Sequence, residues 1–224
     1  MSEYFDNIVK IMTRYWDVFL VTGVSYTLLL SVITVFFGAI LGIFFCLGRM
    51  SRFKVLNWLC IAIVEVVRGT PMLLQLYVGY FLVPKLLPFA VSDFVSIAIA
   101  LIINSAAYVS EVFRSGIQAV DSGQTEAARS LGLSSSQTML RIVLPQAVKT
   151  ILPALGNEFI TIVKDTSLAS TFFIGELMTS YLKVKGTTYL TMECLFIVGV
   201  IYFVLTFILN RLLCAFERRL RAND

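Results

Sequence analysis

"VFLVTGVSYTLLLSVITVFFGAILGIFFCLG", residues 18–48, runs from Asp17 to Arg49 without one charged side chain. A helix needs about 20 mostly apolar residues to cross a bilayer, so this stretch spans with length to spare. Gly23, Gly38 and Gly42 punctuate it, and small residues let helices approach closely in lipid. The rest of the chain shares its character: 58% of the 224 residues are hydrophobic and the mean hydropathy is +0.86, outside the range of soluble domains. The expected fold is therefore all-α and integral to the membrane.

Four further apolar runs follow, at about 55–83, 94–113, 151–173 and 190–213, giving five transmembrane helices. Two of them are interrupted. Glu65, Arg68 and the "RGTP" of residues 68–71 sit inside the second; Glu158, Lys164 and Asp165 sit inside the fourth. The loop after the first span, the segment between the third and fourth, and the tail together carry eleven Lys and Arg, against five on the opposite side. Basic residues stay cytoplasmic, so the amino terminus is expected outside and the carboxyl terminus in the cytoplasm.

Composition removes several chemistries. No His occurs, which excludes imidazole bases and His-ligated metals. Cys46, Cys60, Cys194 and Cys214 lie singly in apolar runs without CxxC spacing, so they read as small hydrophobes and no metal site is expected. No GxxxxGK[ST] occurs, so the chain has no phosphate-cradling loop of its own. The small net charge of +4 does not suggest nucleic acid. Residues 1–17 hold three acids and lack the apolar core of a signal peptide; Phe5, Ile8, Met12, Tyr15 and Phe19 recur at helical spacing, as in an amphipathic helix at the membrane surface. The basic tail, residues 217–224, reads as an interfacial anchor. No linker divides the transmembrane body, residues 18–216.

One segment looks soluble: "DSGQTEAARSLGLSSSQTMLRIVLP", residues 121–145. Asp121 fits a helix N-cap and Gly132 a left-handed stop; Ser134 and Gln137 repeat a capping pattern and Pro145 fits a first turn. The spacing predicts two short helices with a sharp glycine corner. Ala127 and Ala128 offer a flat surface for close approach, and the apolar residues from Leu131 to Val143 offer more area than a free loop should expose.

Within this segment Glu126, Ala127, Ala128, Gly132, Ile142, Leu144 and Pro145 fall in the register of the Glu-Ala-Ala signature of ATP-binding cassette importer permeases. "VEVVRGTPMLLQL" (64–76), "INSAAYVSEVFRSGI" (103–117) and "NEFITIVKDTSLAS" (157–170) resemble the polar amino acid branch of that family, the histidine, glutamine, arginine and cystine type. The resemblance implies a type I importer fold in a bacterial inner membrane, with Glu126, Ala127, Ala128 and Gly132 in a coupling helix that docks on a separate ATPase. It also implies two such ATPase subunits binding ATP and Mg, a second permease copy or close relative, an extracytoplasmic binding protein and an amino acid substrate. This chain itself would hold no cofactor and hydrolyse nothing.

Ionisable groups at membrane depth ask for a partner or a function. Glu65 and Arg68, three apart, are expected to pair, and Glu111 and Arg114 to form a helix-end pair. For an amino acid, Asp165 is the candidate for the ammonium. Thr70, Ser167 and backbone near Gly69 are candidates for the carboxylate. Arg68, Asn104, Ser105, Tyr108 and Lys164 complete the candidate lining, Lys164 as a neutraliser of Asp165 or a partner of Glu158. An ion-gradient-driven secondary transporter is the alternative, but its usual inverted repeat is not visible.

Overall fold

The apolar runs fold into helices throughout. The computed structural model describes residues 2–221. Its helices are α1 (Ser2–Trp16), α2 (Val24–Arg49), α3 (Lys54–Arg68), α4 (Met72–Leu86), α5 (Asp93–Gln118), α6 (Ser122–Ser130), α7 (Ser135–Thr138), α8 (Leu144–Asp165), α9 (Leu177–Thr188) and α10 (Thr191–Arg221). A π-helical turn, Asp17–Gly23, joins α1 to α2; another, Met139–Val143, joins α7 to α8; a 3-10 segment, Thr166–Phe172, continues α8. No strand occurs among the described residues. Residues 222–224 of the expected basic tail lie outside them; residues 217–221 prolong α10.

Four runs are long and apolar enough to cross a membrane: Glu3–Arg49, Asp93–Gln118, Ser135–Phe172 and Thr191–Leu220. The architecture is that of a multi-pass membrane protein. The run expected as one span at 55–83 is instead two helices, α3 and α4, bent by 110°; it makes a fifth crossing only if the pair counts as one. The cause is local. Pro71 has no N–H to donate and sits extended at ψ 136°, so α3 stops at Arg68 and α4 starts afresh at Met72.

α5 is the axis of the bundle. Leu101, Ser105, Ala106, Ala107 and Val109 on it are fully buried, and α2, α3, α4 and α8 all pack against it. Small residues set the approach of α2: a Cβ added to Gly42 would lie 2.9 Å from Val109 Cγ1 and 3.0 Å from the Ala106 carbonyl oxygen. A second core gathers Phe19, Leu177, Tyr181, Val184, Ile197 and Val198 from the first π turn, α9 and α10. The amphipathic α1 lays Ile8, Ile11 and Met12 against this core. By contrast, Phe36, Phe44, Trp58 and Phe203 are exposed, as expected of side chains that face lipid.

α9 is tied to the bundle by a carboxylate the sequence reading passed over. Glu176, wholly buried, is the N-cap of α9 and accepts from the amides of Met178 (2.5 Å) and Thr179 (2.7 Å) and from the Thr179 hydroxyl (2.7 Å). Tyr202 on α10 donates to Oε2, the oxygen that also takes the Met178 amide, at 3.4 Å. Capping by an acid satisfies helix-end amides that would otherwise be orphaned.

Candidate functional site

Where α3 breaks, its last carbonyls lose their helical partners. Thr70 donates its hydroxyl to the Val66 carbonyl at 2.9 Å. Gln75, in the first turn of α4, turns its amide back across the break. Its Nε2 donates to the carbonyls of Val67 (2.6 Å) and Thr70 (3.1 Å) and to Thr70 Oγ1 (2.8 Å). Its Oε1 accepts from Asn104 Nδ2 on α5 at 2.8 Å. One side chain thus fastens both halves of the broken helix to the axis of the bundle.

Beside this clasp lies a cavity of about 170 Å³ lined by Thr70, Met72, Asn104, Tyr108, Glu158, Thr161 and Asp165. Four of these, Thr70, Asn104, Tyr108 and Asp165, come from the expected set; Met72, Glu158 and Thr161 do not. Glu158 and Asp165 are seven residues apart on α8, two turns along one face. Glu158 Oε1 accepts from Ser105 Oγ at 3.3 Å, which puts Ser105 behind the lining, supporting it. Asp165 has no hydrogen bond or ion pair among the described residues. The signal for Glu158 was present in the sequence: a carboxylate two turns from Asp165 in an apolar run has to share its face.

The other expected residues are placed elsewhere. Gly69 gives its N–H to the Glu65 carbonyl at 2.8 Å, so that amide belongs to α3 and faces no solute. Ser167 is half-buried in the 3-10 segment outside the lining, and Lys164 is exposed outside it too, though its charge acts on Asp165, the neutralising role expected of it. Arg68 does not pair with Glu65. It lies 3.6 Å from Glu111 and 5.5 Å from the centre of the Tyr108 ring, and does not line the cavity.

Glu111 gathers more than the expected Arg114. Arg49 on α2 donates to its Oε2 at 2.7 Å, Arg114 bonds its Oε1, and Arg68 approaches from α3. Arg49 also reaches Ser110 at 3.4 Å. Three helices meet on one carboxylate because each brings a guanidinium whose fork suits it. Distance along the chain hides this: Arg49 is 62 residues from Glu111.

The segment after α5 is a surface feature. Asp121 caps α6 through the Gly123 amide at 2.6 Å. α6 ends in a Schellman turn: the Leu133 amide donates to Ala128 O (3.1 Å), the Gly132 amide to Arg129 O (3.0 Å), and Gly132 has φ +87°. Arg129 then donates to the Leu133 carbonyl at 2.6 Å, and Ser134 with Gln137 forms a capping box on α7. Glu126, Ala127 and Gly132 are exposed, whereas Ala128 is buried against the chain itself; the expected flat pair therefore faces two ways. Leu131 is 83% exposed and Leu140 64%, so apolar area does stand uncovered at this corner.

Comparisons agree with this architecture. Residues 34–222 match the family described as "Binding-protein-dependent transport system inner membrane component". The chain is 41% identical to the arginine transport system permease protein ArtQ of Bacillus subtilis (strain 168), over 92% of this chain and 94% of that one. It is 38% identical to the probable glutamine ABC transporter permease protein GlnM of the same organism, over 100% and 99%. Among solved structures, one titled as an amino acid ABC transporter with histidines superposes with a TM-score of 0.88 at 40% identity, covering 93% of this chain and 96% of that chain. The MetNI methionine ABC transporter, at 19% identity and a TM-score of 0.68 over 91% and 97%, shares the fold.

Proposed function

The chain belongs to the family of binding-protein-dependent transport system inner membrane components, and from that premise we propose that it is the membrane-spanning subunit of an ATP-driven importer for polar amino acids. The observation that carries this reading is the lever made by the run Ser135–Phe172. At one end it adjoins the exposed α6 corner; near its other end it supplies Glu158 and Asp165 to the cavity. A push on the corner therefore reaches the cavity through one continuous helical path.

In this reading α6 is the coupling helix, with Glu126, Ala127 and Gly132 turned to a cytoplasmic ATPase and Leu131 filling a pocket on it. Two ATPase subunits bind ATP with Mg, and this chain contributes no cofactor and no hydrolytic group. The distribution of Lys and Arg supports an amino terminus outside and a carboxyl terminus in the cytoplasm of a bacterial inner membrane. A soluble binding protein delivers the amino acid from outside.

Pairing with a second copy or a close relative has its own support. The concave side of the α3–α4 bend, with α5, forms an almost wholly apolar trough of about 510 Å³ lined by Val67, Leu74, Val78, Leu82, Ile99 and Ile103, among others. ATP-driven closure of the ATPases draws two coupling helices together and opens the path outward; hydrolysis resets it. The relatives, named as permeases of transport systems and ABC transporters, favour this reading over an ion-gradient-driven carrier. The test is reconstitution with ATPase subunits and binding protein in proteoliposomes. ATP-dependent uptake of at least one polar amino acid is expected; uptake driven by an ion gradient without ATP would overturn the reading.

A further inference from the structure

α3 does not follow the bundle as α4 does. α4 runs antiparallel along α5: Gln75 bonds Asn104, and a Cβ on Gly79 would meet Ala100 and the Ser96 carbonyl. α3 meets α4 at 110°, so it crosses the bundle. Its depth is set by Glu111, near the Gln118 end of α5. Arg49, which precedes α3, and Arg68, which ends it, both reach that carboxylate, and the Asn57 amide holds the Arg49 carbonyl. α3 therefore lies across the end of the bundle that the distribution of Lys and Arg assigns to the cytoplasm.

The two sides of α3 differ. Cys60 and Val64 are buried, and a Cβ on Gly48 of α2 would lie 2.4 Å from Cys60 Sγ. Val55, Trp58 and Leu59, at helical spacing, form the opposite stripe; Val55 is 80% exposed and Trp58 70%. Arg52 precedes the helix and Lys54 opens it. Both are exposed, with no ion pair among the described residues. Residues 49–68 hold Arg49, Arg52, Lys54 and Arg68 against one acid, Glu65. Glu111 does not cancel the surplus, because Arg114 shares it and Arg49 keeps its Nε buried without a hydrogen-bond partner.

An apolar stripe with Trp and a cationic edge, lying crosswise, suits the boundary of the inner leaflet. Any lipid tail satisfies the stripe; only an anion satisfies the cations. We propose that Arg52 and Lys54 seat the headgroup phosphate of an anionic phospholipid, that its acyl chains lie along Val55, Trp58 and Leu59, and that its occupancy tunes transport. The proposal rests on the import reading for its orientation and for its effect on uptake. A second copy packed on this stripe would add its own cations to the surplus, so charge favours lipid. The link to transport is the far end of α3, whose Val66 and Val67 carbonyls are clasped by Thr70 and Gln75 beside the cavity. A lipid that holds the start of α3 holds one side of that break.

Trp16 and Trp58 are the two tryptophans of the chain, so Trp16→Phe leaves Trp58 as a reporter in the full-length permease. Nanodiscs of phosphatidylcholine carry an equal fraction of either brominated phosphatidylglycerol or brominated phosphatidylcholine, and quenching of Trp58 shows which lipid sits on α3. Phosphatidylglycerol is expected to be favoured at least about fivefold, the attraction of roughly one cation to an anionic surface. Arg52→Gln with Lys54→Gln should remove the preference, and the charge-retaining pair Arg52→Lys with Lys54→Arg should keep it. In proteoliposomes with ATPase and binding protein, ATP-dependent uptake should rise with the phosphatidylglycerol fraction, and the neutral pair should flatten that rise. Equal quenching by the two lipids, or a preference that survives in the neutral pair, overturns the seat. Quenching by neither shows protein on the stripe and overturns it too. Uptake indifferent to phosphatidylglycerol overturns the tuning. None of these outcomes touches the import reading, since quenching needs neither ATP nor amino acid; absence of ATP-dependent uptake at every lipid composition, with the preference intact, overturns that reading and leaves the seat. Should the neutral pair not assemble, the wild-type and charge-retaining ratios decide.

Discussion

At the scale of single residues, what separates the working groups from the structural ones is where their hydrogen bonds go. Asp165 faces the cavity without a hydrogen bond among the described residues, whereas Gln75 has every polar atom engaged across the α3–α4 break. Asp165→Asn is therefore expected to reduce uptake at least tenfold, the order set by losing a hydrogen bond to a charged group, while co-purification with the ATPase is unchanged. Normal uptake kinetics in that variant would remove Asp165 from the substrate path. Gln75→Leu should act differently: it strands the Thr70 carbonyl and the Asn104 amide, while the Val67 carbonyl keeps the Thr70 hydroxyl, costing on the order of 1–3 kcal/mol for each group left buried and unpaired. A lower melting temperature of the detergent-solubilised protein, together with lower uptake, is the expected result. Thr70, Asn104, Tyr108 and Asp165 were legible in the sequence because a polar group in an apolar span has few reasons to be there. Gln75 and Glu158 carried the same signal, but their partners, Asn104 and Ser105, are 29 and 53 residues away. Pairings of that kind follow from packing, which periodicity does not contain.

At the scale of elements, local chemistry was the better guide. Capping residues placed α6 and α7 to within a residue or two, because Asp121, Gly132, Ser134 and Gln137 act on amides and carbonyls three or four positions away. The bend of 110° between α3 and α4 was half legible: Pro71 announced a break, but its angle depends on α5 and on the Gln75 clasp. The Gly132 corner has a specific consequence. A Cβ there would meet nothing within 4 Å, so the position tests backbone conformation and not space. With φ at +87°, a β-branched residue is strained, and even simple side chains cost about 1–2 kcal/mol. Gly132→Val is expected to weaken ATPase association, read by co-purification, without preventing membrane insertion. Gly132→Asn, which tolerates left-handed backbone better, should retain more of it. Equal association in both variants would show that the corner does not set the docking angle. Gly132→Asp adds a charge at the same corner and is expected to lower association further.

For the whole molecule the open question of assembly turns on which exposed apolar faces meet lipid and which meet protein. Sequence cannot separate them, since both are built from Val, Leu, Ile and Phe and lipid tails are as apolar as those side chains. Shape can. α2 and α10 present convex rows such as Phe36, Phe44 and Phe203, which lipid chains cover readily. The trough under the α3–α4 bend is concave, and Val78 stands in it, 50% exposed in the single chain. Val78→Trp distinguishes the two environments, because added apolar bulk is tolerated against fluid lipid but not against a packed partner, where overpacking costs typically about 1–3 kcal/mol. Phe203→Trp on α10 is the control at a convex face. If the trough is a permease–permease surface, Val78→Trp shifts the solubilised protein from paired to single chains in light scattering and lowers ATP-dependent uptake, while Phe203→Trp changes neither. Identical behaviour of the two variants would return the trough to lipid and require the second copy to pack elsewhere, with α10 the next surface to test in the same way.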